Sequence, residues 1–134
     1  MALERKPFDE VLERARTIEI PETFDMVVAI ANGGIIPAAI INQRLGCEFH
    51  LLKLNLRDAM QNKLYDKPKL LAEIDFDYKG KRILLVDDRV KTGTTLEFAK
   101  ELLSEAKVVK TLAVNGIADY CLYNELCFRF PWLL

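Results

Sequence analysis

The chain of 134 residues is predicted to fold as an α/β domain, a central and mainly parallel sheet with helices on both faces. Short runs of consecutive apolar residues, MVVAIA over 26–31 and ILLV over 83–86, point to this fold. They are too short for helices and suit strands buried on both faces of a parallel sheet. Each is followed by a turn and then by apolar residues at helical spacing. Alternating strands and helices wind into one sheet under the right-handed crossover rule. At this length one domain, residues 1–134, is expected.

The elements follow in order. Pro7 to Arg16 reads as an amphipathic helix with Phe8, Val11, Leu12 and Ala15 on one face, and Pro7 suits its first turn. A connection over 17–23 leads to the strand 26–31, the turn Asn32-Gly33-Gly34, and a helix from Ile35 to Leu45 with Gly46 as C-terminal cap. Cys47 to Leu54 gives a third strand with Phe49, Leu51 and Leu52 as core, and His50, the one histidine, reads as structural. Residues 55–80 lack clear periodicity and mix Arg57, Asp58, Lys63, Asp66, Lys67 and Lys69 with few apolar anchors. Such a loop is functional or disordered, and part of it can pair as a hairpin. After the strand 83–86, a helix is expected through Leu96, Ala99, Leu102, Leu103 and Ala106. A strand over 107–114 and an aromatic-rich end over 119–132 complete the chain.

Composition narrows the function. A net charge of −1 gives no basic excess, so nucleic acid is not expected as a partner. No apolar segment is long enough to span a membrane, and the first ten residues lack the apolar core of a signal peptide. Three cysteines, Cys47, Cys121 and Cys127, are odd in number and not in metal spacing, which fits a reduced, cytoplasmic setting.

The chemistry concentrates in ILLVDDRVKTGTT, 83–95. Asp87 and Asp88 fall where the strand is expected to end, and ligands of open α/β sheets bind at the carboxyl ends of strands. Thr92, Gly93, Thr94 and Thr95 lead into a helix whose first N–H groups lack partners and carry partial positive charge, making a cradle sized for phosphate. The two acids can accept hydrogen bonds from vicinal sugar hydroxyls or face a Mg²⁺ ion. A sugar phosphate satisfies both halves. Read as ordinary structure, the same stretch is a strand, an acidic turn and a helix capped by Thr94 or Thr95. The Gly33-Gly34 pair, likewise, either brings N–H groups to an anion or makes a tight turn.

This stretch resembles the phosphoribosyl pyrophosphate (PRPP) signature of the type I phosphoribosyltransferases, and ANGGIIPAAI resembles that family's pyrophosphate loop. The resemblance runs from Met26 to Trp132 and implies a phosphoribosyltransferase-type fold. It implies transfer of the phosphoribosyl group from PRPP to a nucleobase, a 6-oxopurine by preference, with Mg²⁺. Asp87 and Asp88 would be the catalytic and metal-binding pair and hold the ribose hydroxyls. Lys91, Thr92, Gly93, Thr94 and Thr95 would bind the 5′-phosphate, and Asn32, Gly33 and Gly34 the pyrophosphate. The end DYCLYNELCFRFPW resembles the small lid of xanthine–guanine and archaeal hypoxanthine members, giving a lid over 117–132 with Phe128, Phe130 and Trp132 as candidates to stack on the base. The same rings can equally pack the chain's end onto the core. Residues 55–80 would be a mobile hood, and a homodimer or higher homo-oligomer is expected.

The sequence also departs from the family pattern. Arg89 replaces a small apolar residue, and Lys91 stands where purine-using members often carry Asp. Asn32 replaces a common Arg or Lys, and Asn115 follows the strand where those members have a Lys that reads the purine. Asn115 becomes the substitute candidate for base binding. These departures support a second expectation, a PRPP- or nucleotide-binding regulatory protein of the same fold with little or no turnover.

Overall fold

The computed structural model describes residues 3–55 and 68–134. Helix α1 (Phe8–Thr17) is followed by β1 (Met26–Ala31), α2 (Ile35–Leu45), β2 (Glu48–Asn55), β3 (Lys69–Leu70), β4 (Arg82–Arg89), α3 (Thr94–Leu102), β5 (Val108–Asn115) and β6 (Tyr120–Tyr123). The strands form one sheet in the order β3-β2-β1-β4-β5-β6, parallel throughout except for the antiparallel pair β2–β3. The expected mainly parallel α/β sheet is therefore present.

The apolar runs are continuous because both faces of the central strands are covered. Every residue of β1 is buried, and so are Ile83 to Val86 of β4. Val27 and Ala29 share one face with Val11, Ala15, Ala38, Ile41, Leu84 and Val86, beneath α1 and α2. Met26, Val28 and Ile30 share the other with Ile83, Leu85, Leu96, Ala99 and Leu103, beneath α3. Such two-sided burial is what parallel strands require.

Element ends shift in informative ways. Pro7 is the residue before α1, in extended geometry. Helix α2 ends on Gly46 in the left-handed region, as expected. Strand β4 does not stop before the acids but runs through Asp87, Asp88 and Arg89, because its ladder with β5 continues to Asp87 opposite Ala113 and Arg89 opposite Asn115. Helix α3 ends at Leu102, short of the expected Ala106. The N–H of Leu103 is shared between the carbonyls of Ala99 and Lys100 as the chain leaves the helix. Its cap is Gly93, with no side-chain hydrogen bond, so neither Thr94 nor Thr95 serves as the cap. Of the expected hood, residues 56–67, with Arg57, Asp58, Lys63, Asp66 and Lys67, lie outside the described residues. Lys69 and Leu70 pair with β2 as half of the expected hairpin. His50 stacks on Phe76 at 4.6 Å, in keeping with a structural role.

The segment expected as a lid enters the sheet. Strand β6 lies parallel beside β5, although only residues 116–119 connect them, far less than the dozen or more that a parallel crossover usually needs. The chain doubles back so tightly that Leu112 pairs with Tyr120. Gly116 makes the reversal at φ +126°, where an added Cβ would stand 2.3 Å from the carbonyl oxygen of Val90. The Asp119 carboxylate fixes the far side, accepting from the N–H of Thr111 at 2.9 Å and from its hydroxyl at 3.1 Å. The last residues are then tied to the amino-terminal segment. Lys6 N–H donates to the Arg129 carbonyl, Arg129 N–H to the Glu4 carbonyl, and Arg5 Nη1 to the Leu133 carbonyl at 2.6 Å.

At the amino ends of the two central strands, Asp25 and Arg82 set β1 against β4. The Asp25 carboxylate accepts from Arg82 N–H at 2.7 Å, Nε at 3.1 Å and Nη2 at 3.0 Å. These bonds hold the Asp25 pKa down to about 2.

Two tests follow from this arrangement. A carboxyl depressed by folding stabilises the fold above its unfolded pKa of about 4 and loses that contribution as the pH falls through its folded value. The Tm gap between wild type and Asp25→Asn should be widest near neutrality and close between about pH 4 and pH 2; thermal scans across that range check it, and a gap independent of pH would contradict it. Gly116→Ala meets both a left-handed backbone and a backbone clash. It should cost roughly 2–3 kcal/mol, about 10 °C in Tm, read by calorimetry.

Candidate active site

The strand order brings the two sequence motifs together. From β1 the chain crosses through α2 to β2 on one side, and from β4 it crosses through α3 to β5 on the other. The helices cover opposite faces, so the carboxyl ends of β1 and β4 flank a crevice, the switch point at which open α/β sheets bind ligands. A cleft of about 780 Å³ opens there, lined by Asn32, Gly33, Lys53, the run from Asp87 to Leu96, and Phe130, Trp132 and Leu133.

Gly33 and Asp88 touch across the crevice: a Cβ on Gly33 would lie 2.6 Å from Asp88 Oδ2. The two loops form one wall, as the sequence reading requires. Gly34 does something different. It is buried, its N–H donates to the Ile30 carbonyl at 2.7 Å, and a Cβ there would stand 2.3 Å from the Val86 carbonyl oxygen. Its N–H is thus committed to the turn, and the residue is not part of the cleft lining. The peptide bond between Ala31 and Asn32 is cis.

Along the acidic strand end, Asp88 N–H donates to Asp87 Oδ1 at 2.8 Å and Arg89 N–H to Asp88 Oδ1 at 2.6 Å. Asp87 is half-buried as a residue, but its carboxyl lies deep among protein atoms. Burial, and then the charge of Asp88, push its pKa well above the ordinary carboxylate value. Past the acids, Lys91 and Thr92 are exposed and Gly93 turns the chain at φ +83° into α3. The hydroxyls of Thr92 and Thr94 are 2.9 Å apart. A Cβ on Gly93 would meet nothing within 4 Å, so its backbone angle, rather than crowding, is what favours glycine there. Gly93 offers no side-chain cap, Thr94 N–H donates to Thr92 Oγ1 at 3.4 Å, and Thr94, Thr95 and Leu96 bring the partially positive start of α3 to the cleft.

The base-binding candidates separate. Asn115 is 3% exposed and lies outside the cleft lining: Nδ2 donates to the Glu125 carbonyl at 3.1 Å, and Glu125 N–H donates to its Oδ1 at 3.0 Å. Its amide clamps the turn after β6. Phe128 is buried in the core, in edge contact with Tyr123. Phe130 and Trp132 do border the cleft, stacked on one another at 5.2 Å with 8° between their planes.

Lys53 and Arg89 also line the cleft, and neither was singled out as a ligand residue from sequence. Lys53 sits opposite Ala31 in the β1–β2 register, beside the glycine loop. Alternation along a strand gives no chemical signal, whereas Arg89 was already visible as a departure from the family pattern. Its Nη2 donates to the Phe128 carbonyl at 2.9 Å, and its guanidinium lies 4.8 Å from the centre of the Phe130 ring. Among the described residues, no helix is long and apolar enough to cross a membrane.

Comparison with known proteins agrees with this geometry. The family described as phosphoribosyl transferase domain matches residues 10–115. A xanthine-guanine phosphoribosyltransferase of Idiomarina loihiensis is 28% identical over 127 residues, which cover 90% of this chain and 78% of that protein. One from Chromohalobacter salexigens is 36% identical over 122 residues, covering 84% of this chain and 71% of its own. The crystal structure of a purine phosphoribosyltransferase from Pyrococcus horikoshii superimposes with a TM-score of 0.79 at 26% identity, over 96% of this chain and 92% of that one. With its sheet, its crevice and its sequence all in agreement, the chain belongs to the phosphoribosyltransferase family of enzymes.

Proposed function

We propose that this protein transfers the 5-phosphoribosyl group of PRPP to a 6-oxopurine. A ring nitrogen of the base bonds to C1 of the ribose as the bond from C1 to the pyrophosphate oxygen breaks. Pyrophosphate leaves with the electron pair, and the proton on the base is released to solvent. The observation that carries this reading is the contact of Gly33 with Asp88, which joins the glycine loop and the acidic strand end into one wall beside the start of α3. The kinship with xanthine-guanine and purine enzymes supports a purine as acceptor.

Each part of the wall has a task in this reading. Thr92 to Thr95 and the start of α3 hold the 5′-phosphate through N–H groups, hydroxyls and the helix dipole. Asp87 and Asp88 accept from the ribose hydroxyls and fix C1 against the incoming base, a gain through orientation. Asn32 and Gly33 face the pyrophosphate with Lys53 as a nearby cation, and Lys91 stands with the loop that holds the 5′-phosphate. A carboxylate base is missing at Lys91, which is tolerable because general-base help typically supplies only about 10²–10⁴-fold.

The donor set suits Mg²⁺. The described residues hold no cluster of three or more metal-ligating side chains, but Mg²⁺ commonly takes one or two carboxylates and completes its shell with substrate phosphates and water. Asp87 and Asp88 offer hard oxygens whose mutual repulsion a cation relieves. When bound there, Mg²⁺ supplies charge neutralisation for the departing pyrophosphate.

Incubation with PRPP, Mg²⁺ and a panel of bases, followed by chromatography of nucleotide and pyrophosphate, tests the reading. Nucleotide from a 6-oxopurine supports it, while tight PRPP binding with no product from any base would favour a regulatory protein. Two substitutions separate site from fold. Asp88→Asn should weaken PRPP binding about tenfold or more, since hydrogen bonds to charged partners contribute roughly 1.5–3 kcal/mol; calorimetric titration reads it. Asp87→Asn removes a buried charge from beside a like one. It should raise Tm, read by calorimetry, while weakening PRPP binding. An unchanged or lower Tm would contradict the charge conflict.

A further inference from the structure

The Arg89 guanidinium is out of keeping with its neighbours. It extends from the strand end that carries the two acids, lines the cleft, and lies over the Phe130 ring at 4.8 Å. Phe130 in turn stacks on Trp132, and Phe130 itself is only 1% exposed. Phe130 therefore offers little open surface to a base, and the guanidinium covering it belongs to the cleft wall.

The guanidinium is also under-used. A guanidinium has five N–H donors and no acceptor. Arg89 makes a hydrogen bond from Nη2 to the Phe128 carbonyl, and its Nε is buried with no partner. Among the described residues it has no carboxylate partner either, whereas Arg82, by comparison, donates to Asp25 through Nε and Nη2 and to Thr23 through Nη1. A purely structural arginine would be satisfied in this way. Arg89 Nη1, unlike the buried Nε, is not enclosed and makes no hydrogen bond among the described residues; a guanidinium with such a donor beside an aromatic ring in a ligand cleft is arranged for a planar ligand that brings acceptors.

Resting on the purine reading above, we propose that Arg89 is the residue that sets base specificity, selecting a 6-oxopurine over a 6-aminopurine. The edge chemistry decides the direction. A 6-oxopurine presents two adjacent acceptors, O6 and N7, which match a guanidinium fork; a 6-aminopurine presents one acceptor and one donor, and the donor opposes an arginine N–H. The guanidinium does this from the strand end, where it replaces the lysine missing near Asn115, whose own amide is committed to Glu125. A single-point ammonium cannot match the fork, so lysine is not an equivalent here.

Nucleoside monophosphate binding tests this without requiring turnover. Wild type, Arg89→Met and Arg89→Lys are titrated calorimetrically with GMP, IMP, AMP and PRPP, with Tm measured for each. The expected result is a loss of about tenfold or more for GMP and IMP in Arg89→Met, with AMP and PRPP affinity within about twofold of wild type. Arg89→Lys should regain only part of the loss. A uniform loss across all four ligands with a lowered Tm would make Arg89 a structural support of the Phe128 carbonyl and overturn the proposal, as would unchanged GMP and IMP binding. If wild type binds none of the four, the phosphoribosyltransferase reading fails and this inference with it. If wild type binds them and only the selectivity fails to move, the site stands and the role of Arg89 falls alone.

Discussion

The turn that leaves β1 runs so close to β4 that no side chain fits between them. A Cβ on Gly34 would stand 2.3 Å from the Val86 carbonyl oxygen, and one on Gly33 would stand 2.6 Å from the Asp88 carboxylate. Backbone against backbone at this point lets α2 start at once and lets the ends of β1 and β4 share a crevice. Two adjacent glycines therefore have unlike duties. Gly34 is packed inside and spends its N–H on Ile30, while Gly33 faces the cleft. A larger residue at Gly34 would have to push the strands apart, and one at Gly33 would have to displace the Asp88 carboxylate.

The same closeness sets the electrostatics. Beside Asp88, which lies against the glycine loop, the Asp87 carboxyl is deep in the wall, and burial and the neighbouring like charge raise its pKa well above the ordinary range. A fold selected for stability alone would not keep this pair, and strain of this kind is common where groups are held for chemistry. Around the acids stand Lys53, Arg89 and Lys91 and the positive end of α3, so the cleft carries both signs within one crevice. A polyphosphate on a sugar, with anionic groups at its ends and hydroxyls between them, has the complementary pattern.

Much of this was readable from residue order, because the informative features are local. MVVAIA and ILLV announce buried parallel strands, Gly46 announces a helix end, and the spacing of Asp87, Asp88 and Thr92 to Thr95 announces a strand, a loop and a helix start. Features that depend on distant partners were not readable. The ladder with β5 carries β4 past the acids, and Asn115 is consumed by Glu125 rather than turned to the cleft. Strand β6 exists because Gly116 and Asp119 permit a reversal much shorter than parallel strands usually allow. The aromatic end reaches the cleft because Arg5 and Lys6, more than a hundred residues away in sequence, tie it down. Family resemblance supplied the roles, and the meeting of Gly33 with Asp88 supplied the geometry that makes those roles compatible.

The central claim is that the glycine loop and the start of α3 grip one ligand together. Amide chemical shifts of isotope-labelled protein, followed during titration with PRPP and Mg²⁺, test it most directly. The account predicts that Asn32, Gly33 and Thr92 to Thr95 shift along a single binding curve, while Thr23, Asp25 and Arg82 at the opposite, amino end of the central strands stay still. Shifts confined to one of the two loops, or separate curves for each, would contradict it.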